Sequence, residues 1–315
     1  MTAQEVIDGV RSGSRRHIGR AISLAETGSV DGRAILAALH PATGRARRVG
    51  VTGPPGVGKS SLLSALVGLL RSGGQTVAVV SVDPSSPFTM GAVLGDRIRL
   101  AEHFVDPGVF IRSMATRGHL GGLSEATADA VLVLDAAGFD VILVETVGAG
   151  QNEIEVQALA DTVVLALMPG SGDSIQAIKA GLMEIPDVIV VNKADRPGAA
   201  LLRAEIESAL TLVPAGPWKP PVVDTVAIEG RGVAELWDEV SAHRAFLDSD
   251  GRFDARRRDG LARQLRQIAL DRVARRMDAG VPSEVLAQIV DRVIRREIDP
   301  ATAADQLAAR STTER

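Results

Sequence analysis

Gly53-Pro-Pro-Gly-Val-Gly-Lys-Ser60 has the residue types and spacing of a phosphate cradle. It fits G-x-x-x-x-G-K-[ST] and lies between an apolar run and a helix-forming run, the context that pattern needs. Glycines let the backbone curl so that successive N–H groups point inward at phosphate oxygens. Pro54 and Pro55 have no N–H, so the amide donors are expected from Gly56 to Ser60. The helix beginning near Gly58 adds the positive end of its dipole. The nucleotide-contacting stretch is expected to be Gly56, Val57, Gly58, Lys59, Ser60 and Ser61. Lys59 is expected to reach the β- and γ-phosphates, and Ser60 to bind Mg²⁺.

A second motif reads the base. Asn192-Lys-Ala-Asp195, at the end of an apolar run, fits the guanine-specificity pattern N-K-x-D. A carboxylate at Asp195 can accept from the N1–H and 2-amino groups of guanine, and adenine offers neither. A site built on such bonds can discriminate by ~10⁴ or more, because the wrong base leaves the acceptor unpaired. Lys193 is expected to lay its methylenes along the base and Asn192 to brace the loop. The amide near Ala227, in Asp-Thr-Val-Ala-Ile-Glu-Gly, is the expected donor to guanine O6.

Two carboxylates end apolar runs: Asp83 in VVSVDPSSP and Glu145 in VILVETVGAGQ. Carboxyl ends of neighbouring parallel strands are where ligands bind in α/β sheets. Asp83 and Glu145 are therefore candidates to hold Mg²⁺, directly or through water. The Gly148 amide is placed to sense the γ-phosphate. Lys59, Glu145 and Gly148 together form the expected catalytic set. A water-positioning Gln directly after Gly148 is absent, since Ala149 and Gly150 precede Gln151, and slow intrinsic hydrolysis is the expectation. Asp96, on spacing alone, reads as a solvated loop residue. In MPGSGDSIQAIKAG, Asp173 reads as an ordinary cap for the helix carrying Lys179.

These residues need a scaffold. Six Val-rich runs (RRVGVT, TVAVVSV, DVILVE, DTVVLALM, DVIVVN and PVVDTVA) each precede a loop and a helical stretch. Near-continuous apolar strands alternating with helices imply a parallel sheet covered on both faces. The expected fold is α/β, a doubly wound, mostly parallel P-loop NTPase sheet with helical extensions at both ends. Three segments are expected: helices over 1–45, the nucleotide domain over 46–247, and a helical arm over 248–315. Leu261, Leu265, Ile268, Val273 and Met277 fit one helix of the arm, and PSEVLAQIVDRVIRRE a second with Ser283 as its cap. These faces are too few to form a core alone, so dimerisation through the arm is expected.

Composition narrows the function. Among 315 residues there is no Cys, which removes disulfides, thiolate metal sites and Cys nucleophiles. A formal net charge of −4 and 3% aromatic residues give no reason to expect nucleic acid. No apolar run approaches the roughly 18 residues of a membrane span. The N-terminus has no apolar signal region, and a cytoplasmic protein is expected. Two rival readings remain. A nickel-type metallochaperone GTPase would need Cys or clustered His, whereas His17, His40, His103, His119 and His243 are scattered. A kinase or transport-associated ATPase on the same loop would not need N-K-x-D.

The blocks GPPGVGKS, SVDPSSP, GDRIRL, IRSMATRGHLGGLS, ETVGAGQNE, MPGSGD and NKAD closely resemble the MeaB/ArgK/MMAA family of GTPases, and the resemblance covers nearly the whole chain. It implies GTP as substrate, GDP as product, and Mg²⁺ contacts from Ser60, Asp83, Asp96 and Glu145. It implies switch segments near 83–120, 145–155 and 168–179, the last including Asp173 and Lys179. It also implies a homodimer built with the C-terminal helices. The implied partner is adenosylcobalamin-dependent methylmalonyl-CoA mutase, which such GTPases protect and whose cofactor loading they gate.

Overall fold

The computed structural model describes residues 1–83, 100–115, 125–146, 152–171, 186–212 and 216–311. Asp96, Gly148, Asp173 and Lys179 lie outside the described residues, and of Asp83 only the backbone is described.

Three helices come first: α1 (Ala3–Arg11), α2 (Arg15–Glu26) and α3 (Val30–Leu39). In α1 a capping box lets Thr2 and Glu5 satisfy each other's backbone amides. The sheet elements follow: β1 (Arg47–Thr52), α4 (Lys59–Ser72), β2 (Val77–Asp83), β3 (Val109–Ala115), α5 (Glu125–Ala136), β4 (Val141–Thr146), α6 (Asn152–Leu159) and β5 (Thr162–Leu167). Next are β6 (Val188–Asn192), α7 (Ala199–Leu210), β7 (Val222–Thr225) and α8 (Val233–Asp248). The chain ends in α9 (Arg252–Gly280), α10 (Ser283–Ile294) and α11 (Pro300–Ser311).

Among the described residues, seven strands form one sheet in the order β3-β2-β4-β1-β5-β6-β7, and each pairing of neighbours in it is parallel. One strand, β3, is additional to the six Val-rich runs. Arg112 and Ser113 interrupt its apolar pattern, which an edge position permits, and Arg112 reaches Glu26 on α2 at 2.7 Å. Alternate residues of the strands feed two faces. Val49, Val51, Val77, Val79 and Leu143 pack under α4 and α8. Ala78, Val80, Val82, Ile142 and Val144 pack against α5 and against Val6, Val10, Ile18, Ile22 and Ile35 of the first three helices. The N-terminal helices therefore cover one face of the nucleotide domain and share its core.

The chain forms two compact units, Met1–Gly260 and Leu261–Arg315. The boundary falls within α9, later than the change of pattern near residue 247. The reason lies at the amino-terminal edge of the sheet. Asp161 and Asp187 immediately precede β5 and β6 and are buried there. Arg257 of α9 contacts Asp161 at 2.9 and 3.0 Å, and Arg256 contacts Asp187 at 3.0 and 2.5 Å. The first turns of α9 are thus tied to the sheet. His243 of α8 lies beside this cluster, 2.9 Å from the Thr162 hydroxyl and 3.3 Å from Asp187, with its ring against Trp218. Burial pushes its pKa down to about 4; Asp187 opposes the shift and Arg256 adds to it.

In the second unit, α10 and α11 bury Ile289 and Ala303, and Arg292 bonds Gln306 at 3.1 Å. Ser283 is the first residue of α10 and makes no capping bond; Pro282 occupies the cap position. Leu265, Leu270, Val273 and Ile294 are exposed. Among the described residues, no helix is long and apolar enough to cross a membrane.

Candidate functional site

The loop between β1 and α4 lies at the carboxyl edge of the sheet, with β1 between β4 and β5. Gly58 caps α4 with a left-handed backbone, φ 96°, and a Cβ there would overlap the Asn192 amide. A Cβ on Gly53, at φ 139°, would overlap the carbonyl of Ala166 at the end of β5. These two glycines let the loop nest against its neighbours. Lys59 is buried, and its ammonium donates to the carbonyls of Gly53 at 2.7 Å and Pro54 at 3.0 Å. It is thereby folded under the loop. Ser61 follows on α4, half-buried, and Val57 is fully buried.

Ser60 faces β4. Its hydroxyl donates to Glu145 Oε1 at 2.8 Å. The other carboxylate oxygen, Oε2, accepts from Ser81 at 3.1 Å. Register explains the convergence: Glu145 pairs with Val51 of β1 on one side and with Ser81 of β2 on the other. All three polar side chains are buried. One residue further on, Thr146 donates to Thr52 at 2.9 Å across the β4–β1 pair. The backbone of Asp83 closes β2 two residues past Ser81. Ser81 was not singled out from sequence. Its signal was a lone hydroxyl in the otherwise aliphatic run VAVVSV.

The second motif is braced to the first. Asn192, almost wholly buried, donates from Nδ2 to the Val57 carbonyl at 2.8 Å. Its Oδ1 accepts from the Thr225 hydroxyl at 3.1 Å and from the Ala227 amide at 3.2 Å. Lys193 holds a left-handed backbone, φ 56°, and its ammonium donates to the Gly56 carbonyl at 2.6 Å and to Met168 Sδ at 3.3 Å. The Ala194 amide bonds the Thr225 carbonyl, which ties the loop to the end of β7. Asp195 is exposed. The Ala227 amide, expected to meet guanine O6, is thus held beside Asn192.

The arrangement thus joins two half-sites. One has an ammonium, a run of loop amides at a helix start, and an all-oxygen hydroxyl–carboxylate pair. The other has an exposed carboxylate on a loop fixed to the first by two side chains.

The chain is similar to several known proteins. The family model described as methylmalonyl Co-A mutase-associated GTPase MeaB matches residues 18–281. A Pyrococcus abyssi protein named as a GTPase is 48% identical, over 96% of this chain and 95% of its own. GTPase ArgK of Escherichia coli is 39% identical, over 84% of this chain and 83% of its own. The mouse protein named methylmalonic aciduria type A homolog, mitochondrial, is 38% identical, over 67% of this chain and 52% of its own. Among solved structures, that of an LAO/AO transport system kinase superposes with a TM-score of 0.75 at 32% identity, covering 98% of this chain and 96% of that one.

Proposed function

The chain belongs to the MeaB family of methylmalonyl-CoA mutase-associated GTPases and is a GTPase; from that premise we propose that it is a magnesium-dependent chaperone of an adenosylcobalamin-dependent methylmalonyl-CoA mutase, gating cofactor loading and protecting the mutase. In this reading it acts in the cytoplasm as a homodimer, and the exposed apolar side chains of Leu261–Arg315 support an interface there.

The observation that carries the nucleotide part is the brace between the two motifs. Asn192 and Lys193 hold the Val57 and Gly56 carbonyls, so the base-reading loop and the phosphate loop are fixed at one separation. A nucleoside phosphate spans such a pair of half-sites. In the proposed complex, the amides from Gly56 to Ser60 hold the phosphates. Lys59 turns from the Gly53 and Pro54 carbonyls to the β/γ oxygens. Asp195 reads guanine.

The donor set around Ser60 suits Mg²⁺, a hard cation that takes oxygen ligands. Ser60 and Glu145 would hold it with Asp83 and, as the family resemblance implies, Asp96. A bound Mg²⁺ supplies neutralisation of the charge on the β- and γ-phosphates. Ser60 would keep its hydroxyl hydrogen bond to Glu145 and offer a lone pair of the same oxygen to the cation. The Gly148 amide is proposed to contact the γ-phosphate. Slow intrinsic turnover follows from the absence of Gln directly after Gly148.

Base recognition is tested with Asp195→Asn, which replaces an acceptor by a donor towards guanine N1–H. GTP affinity should fall about a hundredfold or more while XTP affinity rises. Unchanged GTP affinity would remove Asp195 as base reader.

A further inference from the structure

β2 is an almost purely aliphatic strand. Val77, Ala78, Val79, Val80 and Val82 are all buried, and Ser81 stands among them equally buried. A hydroxyl in such a place costs stability unless it is hydrogen-bonded. The acceptor it finds is Glu145 Oε2 at 3.1 Å, on the residue paired with it across the β2–β4 ladder. Ser60 holds the other oxygen of the same carboxylate at 2.8 Å. The two hydroxyls approach from different elements, α4 and β2, and each takes one oxygen.

A carboxylate with a donor on each oxygen is fixed in rotation about its terminal bond. With the Ser81 contact missing, the group gains freedom to turn, and its oxygens no longer face one direction. A cation ligand is sensitive to this, because the hydrogen bonds behind the ligating groups set their orientation. Alanine would fit the same space and continue the aliphatic pattern of the strand, so packing alone does not call for a hydroxyl at Ser81.

We infer that Ser81 is a positioning residue for the cation half-site, orienting the Glu145 carboxylate for Mg²⁺ without touching the nucleotide. The inference rests on the proposed reading of Ser60 and Glu145 as the cation pair.

The test is the Mg²⁺ dependence of GDP binding to the full-length protein, read with a fluorescent GDP analogue. The variants are Ser81→Ala, Ser81→Thr and Glu145→Gln. Ser81→Ala should raise the Mg²⁺ concentration for half-maximal effect roughly tenfold. Its GDP affinity in EDTA should match the parent. Ser81→Thr, which keeps the hydroxyl, should restore most of the parental requirement. Glu145→Gln should raise it at least as far. A shift in Glu145→Gln with none in Ser81→Ala would overturn the role of Ser81 and leave the cation pair standing. No shift in either would overturn the cation pair itself. An equal loss of GDP affinity with and without Mg²⁺ in Ser81→Ala would mark Ser81 as structural and end the inference. Should Ser81→Ala fail to fold, Ser81→Cys, with its weaker donor, takes its place; a parental Mg²⁺ requirement in that variant would count against the role.

Discussion

Lys59 occupies a buried position in which its ammonium satisfies two loop carbonyls. Removing it affects two states of the protein differently. Without nucleotide, Lys59→Ala leaves the Gly53 and Pro54 carbonyls short of a donor, at a cost of about 1–3 kcal/mol. With nucleotide, it removes a cation from the phosphates, and calorimetry should show GDP and GTP affinity reduced about a hundredfold or more. A parental affinity would contradict the cradle. At this scale the sequence was most legible where the chemistry is contiguous. The phosphate loop and Asn192-Lys193-Ala194-Asp195 are each a single short word. Ser81 was not legible, because its partner Glu145 is 64 residues away and meets it only through strand register. The bond from the Ala227 amide to Asn192 was equally illegible, since 35 residues separate the two.

Elements that hold the site are themselves held from the opposite edge of the sheet. Asp161 and Asp187 receive Arg257 and Arg256 from the first turns of α9. Breaking a buried ion pair by removing one partner typically costs about 3–5 kcal/mol. A chain ending at Ser249 would lose both arginines and leave both aspartates behind. A chain ending at Gly260 keeps them. The longer truncation should retain the parental melting transition, bind GDP and run as a monomer by light scattering, and the shorter should melt well below it. Equal melting temperatures would remove the arginine pairs as anchors. The change in pattern near residue 247 was visible in the sequence. The late boundary was not, since Arg256 and Arg257 meet aspartates 69 and 96 residues away. The edge strand β3 was missed for a related reason: Arg112 breaks the apolar pattern and finds Glu26 on α2.

His243 adds a pH dependence to the same region. Its folded pKa of about 4 lies below the ordinary value of 6.5, so the folded state refuses a proton that the unfolded chain accepts. Its contribution is fully present above pH 6.5 and is lost as pH falls towards 4, by an amount of order 3 kcal/mol. His243→Gln should remove that part of the acid destabilisation. Parallel stability curves for parent and variant between pH 7 and pH 4.5 would contradict it.

At the scale of the whole molecule, the α/β class and the helical ends were legible because six strands carry the same Val-rich signature. Partnership was not, since no residue pattern names a mutase. The family description names a methylmalonyl-CoA mutase, and the switch segment near 168–179 implied by the family resemblance, with Asp173 and Lys179, is the expected place of coupling. The most direct measurement is steady-state phosphate release from GTP, with and without adenosylcobalamin-dependent methylmalonyl-CoA mutase. Slow release is expected from the protein alone, with a clear rise when the mutase is added and loss of most of that rise in Asp173→Ala/Lys179→Ala at near-parental basal turnover. Release that is unchanged by the mutase in the parent protein would contradict the proposed role.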